Sequence, residues 1–224
     1  MNKLYESYES KLKTYKPFLA YVESFFRDHK ELNKKPLPII HSIKSRIKEF
    51  SHLEEKLKRK GIDVNSLNNE DPLLNITDLI GIRILHLYQD QFLFIHNAIK
   101  EQIDNKEWIF CEKPKAYTWD PEYKKLYEGL DIDIEIKPTY YTSIHYLVAP
   151  NNNNPSKACC EIQIRTLFEE IWGEIDHTIN YPHPTKSIAC KEQLRVLSKL
   201  VSTGTRLADS IFRSHEEFCS NSTS

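Results

Sequence analysis

The stretch Glu161-Ile162-Gln163-Ile164-Arg165 decides the fold of this chain, because it alternates polar or charged side chains with isoleucine. A two-residue period is that of a pleated strand, in which successive side chains point to opposite faces of the sheet. We therefore predict that the two isoleucines join a core and that the three polar residues share the other face. An ordinary half-exposed strand has the same pattern, so the neighbouring segments decide whether the polar face is a functional site.

Further strands and helices are predicted on both sides of this stretch. Alternating or strongly apolar segments predict strands over residues 43–48, 79–87, 107–111, 131–137 and 141–148. Apolar residues that recur every three or four positions predict helices over residues 4–30, 49–59, 91–103, 167–180 and 191–218. A loop is predicted over residues 63–75 and a turn over residues 151–155. Residues 113–128 have no clean period and are predicted to form an ordered loop with a short helix.

These elements predict an α+β domain in which helices pack on one mixed sheet of about five strands. The chain has 224 residues, of which 40% are hydrophobic, and this suits one core with terminal helices better than two complete domains. We assign an N-terminal helix to residues 1–35, a core to residues 36–182, and a C-terminal helix with a disordered tail to residues 183–224.

The last helix is predicted to bury one apolar stripe, formed by Leu194, Leu197, Leu200, Val201, Leu207, Ala208 and Ile211. Such a stripe either covers the sheet or pairs with another subunit. A homo-oligomer through this helix is therefore one expectation, and the sequence leaves the choice open.

Composition excludes several classes of protein. The formal net charge is −1, so any affinity for a polyanion must come from a local patch. No apolar run approaches the roughly 20 residues of a membrane span, and the first ten residues lack the apolar core of a signal peptide, which predicts a cytoplasmic protein with no membrane contact. The five cysteines show no C-x-x-C spacing, so neither a disulfide framework nor a zinc site is predicted.

Two carboxylates and a basic segment predict a site for a nucleotide and a metal. Asp78 precedes the most hydrophobic strand, and Glu161 lies beside isoleucines; alone, the first would be a cap and the second an ion-paired or surface residue. Magnesium is held by one or two carboxylates together with the phosphates of the substrate. Residues 44–60 contain seven basic and three acidic residues. Together these features favour a Mg²⁺-nucleotide site in which the basic residues neutralise a triphosphate.

A third segment suits recognition of a base or a ribose. Tyr141, Ser143 and His145 share one face of their predicted strand and offer a ring, a hydroxyl and an imidazole. The alternative is an ordinary tyrosine-rich strand, since the chain has 12 tyrosines. Neither G-x-x-x-x-G-K-[ST] nor G-x-G-x-x-G occurs, so side chains rather than a glycine loop would bind the phosphates.

Four stretches give the chain a resemblance to the RelA/SpoT-type alarmone synthetases over about residues 40–181. They are, in chain order, Arg46-Ile47-Lys48 with Lys56, Asp78-Leu79-Ile80-Gly81-Ile82-Arg83, Tyr141-Thr142-Ser143-Ile144-His145 and Glu161-Ile162-Gln163-Ile164-Arg165-Thr166. Each is weak alone, but four in the family's order and spacing are specific, and the helix with Trp172 and His177 also looks like the family's next segment. The resemblance implies a nucleotidyltransferase-like synthetase fold. It also implies an enzyme that transfers the pyrophosphate of ATP to the 3′-hydroxyl of GDP or GTP to make (p)ppGpp.

The resemblance implies a role for each residue on the ATP side of the site. Arg46 and Arg83 match the arginines that sandwich the adenine. Lys48 and Lys56 match the lysines that hold the phosphates, and Asp78 matches the Mg²⁺ ligand.

The resemblance also implies roles at the reacting centre and on the acceptor side. Glu161 matches the glutamate that helps to hold the metal and is proposed to activate the attacking 3′-hydroxyl. Tyr141 matches the ring that stacks on the acceptor guanine. The remaining acceptor-side residues lie near that ring or line the same face: Lys137, His145, Gln163 and Arg165.

Three departures from the family pattern change what is expected. Thr139-Tyr140 stands where the family has Asn-Gly before its stacking tyrosine, so the acceptor loop is bulkier. Glu128-Gly129-Leu130-Asp131 is closer to the acidic version of a stretch that synthesis-only members carry. Nothing resembles the family's hydrolase domain, so a small, stand-alone synthetase is expected.

Two alternative functions stay open. One is a toxic small synthetase that pyrophosphorylates the 3′ end of tRNA, or adenine nucleotides, and is neutralised by an antitoxin protein; the altered acceptor loop motivates it. The other is a non-catalytic nucleotide sensor, against which the intact Asp78, Glu161 and Tyr141 argue.

Overall fold

The computed structural model describes residues 3–59, 61, 73, 76–152 and 158–222. The loop predicted over residues 63–75 and the turn predicted over residues 151–155 lie largely outside this part of the chain. Within the described ranges, no helix is both long and apolar enough to cross a bilayer.

Six α-helices and seven strands make up the described part of the chain. The helices are α1 (Lys3–Asp28), α2 (Phe50–Arg59), α3 (Phe92–Asp104), α4 (Pro121–Tyr127), α5 (Leu167–Asn180) and α6 (Ile188–Ser222). The strands are β1 (Ser42–Ile47), β2 (Ile80–His86), β3 (Trp108–Phe110), β4 (Lys115–Thr118), β5 (Asp133–Ile136), β6 (Ser143–Pro150) and β7 (Cys160–Thr166). The predicted α+β class with one mixed sheet is therefore confirmed.

The sheet is mixed and has β7 and β6 at its centre. Its order is β1-β2-β7-β6-β4-β5, and β3 also pairs with β6. The β2/β7 and β4/β5 pairs are parallel, whereas the remaining pairs are antiparallel. Ile162 and Ile164 of β7 have no exposed surface and belong to the main hydrophobic cluster, as the alternation predicts. The polar face of β7 consequently lies in the middle of the sheet, between strands that bring further polar side chains.

Helix α1 covers part of the sheet with the apolar face that its sequence predicts. The buried positions recur every three or four residues and comprise Leu4, Tyr8, Leu12, Tyr15, Leu19, Val22 and Phe26. They join the same hydrophobic cluster as the central strands. The tyrosine at position 8 also ties α1 to the end of β1, since its hydroxyl donates to the Lys48 carbonyl at 2.8 Å. The division of the chain into three regions stays a prediction.

Segment 113–128 is more regular than predicted. It contains the predicted short helix, α4, and in addition strand β4, which helps to bring the sheet to seven strands where about five were predicted. Four residues are too few to display a period, and β4 exists because β5 and β6 pair with its two edges. Helix α4 begins after Asp120, whose carboxylate accepts a hydrogen bond from the Glu122 amide at 2.9 Å as an N-cap.

Only part of the predicted apolar stripe of α6 packs within this chain. Leu194 and Val201 are buried, but Leu200, Leu207 and Ile211 are 64%, 59% and 58% exposed. The face of α6 that packs inward is largely polar instead, and includes Ser198, Ser202, Thr205 and Asp209. The physical reason is that α6 covers polar groups, among them the buried Asp120 carboxylate, and a polar helix face satisfies them with hydrogen bonds. Helix α6 also continues through residues 220–222, which the prediction assigned to the tail.

Candidate active site

The strand register brings the sequence motifs together on one face of the sheet. Antiparallel pairing sets Arg46 opposite Gly81, and parallel pairing sets Gly81 opposite Glu161. In a neighbouring row, Arg83 pairs with Gln163, which pairs with His145. Residues more than 100 positions apart in the chain thereby lie side by side.

Gly81 is required by this close approach of β2 and β7. A Cβ atom at position 81 would lie 3.0 Å from the carbonyl oxygen of Glu161. Any side chain larger than hydrogen would therefore press on the backbone of the candidate catalytic residue. The glycine within the Asp78–Arg83 motif thus has a packing role that the sequence did not reveal.

Asp78 is held by two lysines just before β2 begins. Its Oδ2 atom accepts hydrogen bonds from Lys48 Nζ at 2.7 Å and from Lys56 Nζ at 2.6 Å. Burial by itself raises the pKa of this carboxyl, but the two lysines outweigh burial and lower its pKa to about 2. Burial also lowers the pKa of Lys48. The three residues form a charged cluster with a net charge of +1, which suits the binding of a further anion such as a phosphate.

Glu161 is enclosed by hydrogen-bond partners from three strands. Its Oε2 accepts from Gln163 Nε2 at 2.9 Å and lies 3.5 Å from Arg46 Nη2, while its Oε1 lies 3.1 Å from His145 Nδ1. Burial raises the pKa of Glu161, and the hydrogen bond and charge of His145 together with Arg46 outweigh it, so that its pKa is lowered. A carboxylate in this setting stays ionised at neutral pH and is available to accept a proton.

Tyr141, which the resemblance assigns to the acceptor, lies immediately before β6 rather than within it as predicted. Its hydroxyl is 3.0 Å from His145 Nε2 and accepts a short hydrogen bond from Arg165 Nη2. The Arg165 guanidinium also lies over the tyrosine ring, 4.8 Å from its centroid. Arg165 therefore holds one face of the ring. The opposite face is the one suited to stacking on a base.

Tyr117 is a site residue that the sequence prediction missed. Its ring meets His145 edge to face at 4.8 Å, and Lys137 Nζ lies 4.5 Å from its centroid. It lies on β4, in the segment where no period was visible, so no signal in the sequence marked it. Lys137 itself follows β5, pairs with Glu135 and contacts the ring of Tyr117.

Two acidic residues of α5 were also missed. Glu170 and Glu174 both bind Arg83, whose Nη1 lies 2.9 Å from Glu170 Oε1 and 2.8 Å from Glu174 Oε1. Their four-residue spacing on a predicted helix directly after β7 was the available signal, because it places both on one helix face. The other helix residues of the resemblance differ in role: Trp172 is buried and donates to the Leu194 carbonyl, whereas His177 lines a cavity.

The site consists of two adjoining cavities. One, of about 250 Å³, lies over β1, β2 and β7 and includes Gly81 and Glu161 in its lining. The other, of about 470 Å³, lies between the sheet and α5 and includes Tyr141 and Arg165. Three residues line both cavities: Arg46, Arg83 and Gln163. The arrangement offers two neighbouring compartments with Glu161 close to their boundary.

The donor set near Asp78 and Glu161 fits a hard divalent cation. Asp78 Oδ1 is buried and has no hydrogen-bond partner among the described residues. The two carboxylates also interact electrostatically, since the negative charge of Asp78 raises the pKa of Glu161. No group of three or more His, Cys, Asp or Glu residues forms a metal site in the described ranges. Two carboxylates are nevertheless the number that Mg²⁺ takes from a protein when phosphates and water complete its coordination.

Comparisons with known proteins agree with this architecture. Residues 45–186 match the family model described as "Region found in RelA / SpoT proteins". Among curated proteins of Bacillus subtilis strain 168, the chain is 29% identical to GTP pyrophosphokinase YwaC over 147 residues, which are 64% of this chain and 59% of that protein. It is 25% identical to GTP pyrophosphokinase YjbM over 160 residues, which are 70% of this chain and 64% of that protein. The chain thus matches less than two thirds of the length of either relative.

Solved structures show the same fold. Small alarmone synthetase 1 from Bacillus subtilis superimposes with a TM-score of 0.69 at 20% identity, over 95% of this chain and 99% of that one. A GTP pyrophosphokinase family protein from Streptococcus pneumoniae superimposes with a TM-score of 0.68 at 16% identity, over 97% of this chain and 96% of that one. Since the family model covers well over half of the sequence, this chain belongs to the family of proteins that carry the region found in RelA and SpoT.

Proposed function

We propose that this protein is an ATP-dependent pyrophosphokinase that transfers the β,γ-pyrophosphate of ATP to the 3′-hydroxyl of GDP or GTP, making (p)ppGpp. The observation that carries the proposal is the pair of adjoining cavities that share Arg46, Arg83 and Gln163, with Glu161 near their boundary. A two-substrate transfer needs such neighbouring compartments, because most of its rate comes from positioning and charge neutralisation. The names of the two Bacillus relatives support it. So do crystal structures of small alarmone synthetase 1 bound to AMPCPP and to pppGpp.

On the donor side, arginines and lysines have separable tasks in the proposal. Arg46 and Arg83 extend from neighbouring strands and would stack on the two faces of the adenine. Lys48 and Lys56 would bind the phosphates, since their ammonium groups already converge on one point at Asp78. Phosphate oxygens would then share those ammonium groups with the carboxylate.

Glu161 is the proposed general base. The 3′-hydroxyl of the acceptor would donate its proton to Glu161 while its oxygen bonds to the β-phosphorus, and AMP would leave on the opposite side. His145 and Gln163 hold the carboxylate from two directions, so its lone pair keeps a fixed orientation toward the acceptor. The lowered pKa of Glu161 favours the ionised form that this step requires.

Mg²⁺ is the proposed cofactor, held by Asp78 and Glu161. When bound, the ion would stabilise the negative charge that develops on the phosphates during transfer. The unpartnered Oδ1 of Asp78 is the atom that remains available for it. Because these substrates are cytoplasmic nucleotides, a cytoplasmic location is part of the proposal.

The acceptor side supports guanine stacking on Tyr141 but also motivates a second candidate function. Tyr140 has φ +64°, a left-handed conformation that favours glycine, and glycine is the residue expected there from the family pattern. Its ring contacts Trp119 edge to face at 5.6 Å. This pair lines neither of the two cavities, so the altered sequence of the acceptor loop alone motivates the alternative in which the 3′ end of tRNA, or an adenine nucleotide, is the acceptor. An antitoxin partner and a homo-oligomer through α6 stay predictions.

One assay separates these candidates. The purified full chain would receive ATP labelled at its terminal phosphates, Mg²⁺, and one acceptor at a time: GDP, GTP, adenine nucleotides or bulk tRNA. We expect label in guanosine tetra- and pentaphosphate. Label on tRNA or on adenine nucleotides would replace the proposed acceptor, and no transfer to any acceptor, despite nucleotide binding, would indicate the non-catalytic sensor.

A further inference from the structure

Glu170 is a buried carboxylate on which three cations from three different strands converge. It lies in the first turn of α5 and is 6% exposed. Lys44 Nζ of β1 lies 2.9 Å from its Oε1, and Arg165 Nη1 of β7 lies 3.4 Å from its Oε2. Arg83 Nη1 of β2 contacts both oxygens, at 2.9 and 3.1 Å. No other described carboxylate binds this many of the site's basic residues.

The cations that meet at Glu170 belong to different halves of the site. Arg83 lines both cavities and is the proposed partner of the ATP adenine. Arg165 lines only the second of the two cavities and fixes Tyr141 by a hydrogen bond and by its position over the ring. One carboxylate therefore sets the position of an arginine on the donor side and, through a second arginine, of the stacking ring on the acceptor side.

We propose that Glu170 is a positioning residue that couples the donor and acceptor half-sites by holding Arg83 and Arg165 together. This inference rests on the proposed function, because it assumes that the two cavities take the two nucleotides. Glu170 touches neither substrate in this assignment. It acts through the two arginines, whose long side chains would otherwise sample several rotamers.

Burial makes this ion-pair cluster sensitive to the loss of its carboxylate. Arg165 is only 5% exposed, and within the described ranges its ion pairs go to Glu170. Removal of one partner of a buried pair leaves the other charge without compensation and displaces it. Burial alone raises the pKa of Glu170, but Lys44 and Arg83 outweigh it and lower the pKa, so the carboxylate is ionised at neutral pH.

Glu169, the adjacent residue, supplies a matched control. It is equally buried, at 6% exposure, but it serves the helix instead of the site. Its Oε2 accepts from the Thr166 amide at 2.7 Å, and the Thr166 hydroxyl accepts from the Glu169 amide at 3.2 Å, which is a capping box. The structural task of this turn thus falls to Glu169, whereas Glu170 faces the basic residues of the sheet.

Glu174 contacts only one of the two arginines that Glu170 holds. It therefore tests whether the contact with Arg83 alone accounts for the effect of Glu170. It binds Arg83 Nη1 at 2.8 Å, is 60% exposed, and has no ion pair with Arg165 among the described residues. It also lines the second cavity, so its loss removes one contact of Arg83 without removing the partner of Arg165. The effect on either nucleotide should be weak, because an exposed pair contributes little.

The test compares Glu170→Gln, Glu170→Asp, Glu169→Gln and Glu174→Gln in the purified full chain. KM for ATP, KM for the acceptor, kcat and thermal stability are measured for each, and binding of AMPCPP and of GDP is measured separately by calorimetry. For Glu170→Gln we expect both KM values and both dissociation constants to rise about tenfold, as for loss of a charged buried partner. Glu170→Asp should recover part of the affinity for both nucleotides. Glu174→Gln should change the values for either nucleotide by about threefold or less.

Four outcomes would overturn the proposal. These are unchanged binding of both nucleotides by Glu170→Gln, a change confined to one nucleotide, equal losses in Glu169→Gln and Glu170→Gln, and a wild-type protein that binds neither nucleotide. The calorimetric arm keeps the inference separate from the proposed reaction. A wild type that binds both nucleotides but transfers nothing would refute the pyrophosphokinase activity, while the effect of Glu170 on binding would still be measured.

Discussion

His145 connects Glu161 to Tyr141: its Nδ1 lies 3.1 Å from Glu161 Oε1, and its Nε2 lies 3.0 Å from the Tyr141 hydroxyl. A single imidazole thereby bridges the candidate general base and the ring proposed to stack on the acceptor. The separation between the Glu161 carboxylate and the Tyr141 ring is therefore set by one residue of β6. Positioning of this kind is what an in-line transfer between two bound nucleotides requires.

The first prediction concerns the general base. Glu161→Gln keeps the size of the side chain and its contact with Gln163 but removes the proton-accepting charge. We expect transfer to fall by about a thousandfold or more, since general-base loss and charge loss combine. Single-turnover assays with labelled ATP measure it. The thermal midpoint should stay within the range of the wild type, and undiminished transfer would contradict the role assigned to Glu161.

The second prediction concerns acceptor stacking. Tyr141→Ala should raise KM for the guanine nucleotide by about tenfold, because stacking of a base on an aromatic ring contributes about 1–3 kcal/mol. KM for ATP should change little. Tyr141→Phe is the matched control: it keeps the ring but loses the hydroxyl contacts with His145 and Arg165, so most of the acceptor affinity should remain. If both variants lose acceptor affinity equally, the hydroxyl and not the ring is the important group.

The third prediction concerns the dependence of stability on pH. Burial raises the pKa of Glu169 from an ordinary 4.5 to about 7. Between these values the unfolded chain has released the proton that the folded protein keeps, so the contribution of Glu169 to stability decreases as pH rises and is most unfavourable above pH 7. Glu169→Gln preserves a capping-box residue and cannot ionise. Its free energy of unfolding relative to wild type should therefore increase by up to about 3 kcal/mol from pH 4.5 to pH 8.

Denaturant titrations of both proteins at several pH values measure this difference. A pH-independent difference between the two proteins would show that Glu169 titrates normally in the folded state. Within the described ranges the nearby charges that act on it are Arg165, which lowers its pKa, and Asp209, which raises it.

The fourth prediction concerns the close approach of β2 and β7. In Gly81→Ala the new methyl group lies 3.0 Å from the Glu161 carbonyl oxygen, and the strands must move apart. We expect a loss of about 1–3 kcal/mol of stability, as for other overpacked sites, together with a decrease in kcat because Glu161 moves with its backbone. Assays of kcat and chemical denaturation measure the two effects.

Gly61→Ala is the control for this substitution. Position 61 also holds a glycine, at φ +68°, but an added Cβ has no atom within 4 Å. The change should lower stability by about 1 kcal/mol through backbone strain and leave kcat unaltered. Equal decreases in kcat for both alanine variants would contradict a local effect at Glu161.

The periodic patterns in the sequence located most of the strands, but they did not show which side chains from different segments contact one another. The alternation over residues 161–165 correctly predicted the buried isoleucines of β7, and the three-and-four spacing correctly predicted the buried face of α1. Periodicity failed for β4, which is four residues long and is held by its neighbours, and it did not reveal that α6 packs a largely polar face against the rest of this chain. In both cases the environment supplied by distant segments overrode the local pattern.

The sequence by itself determined which residue types stand on which face of each strand, and the order of its four motifs determined the family. Only the tertiary structure decided which distant charges meet. Lys44, Arg83 and Arg165 could be placed on their strands from the sequence, yet their common partner Glu170 is as many as 126 residues away and lies on a helix. The physical reason is that a period records the orientation of a side chain toward core or solvent, whereas an ion pair depends on how helix α5 packs against the assembled sheet.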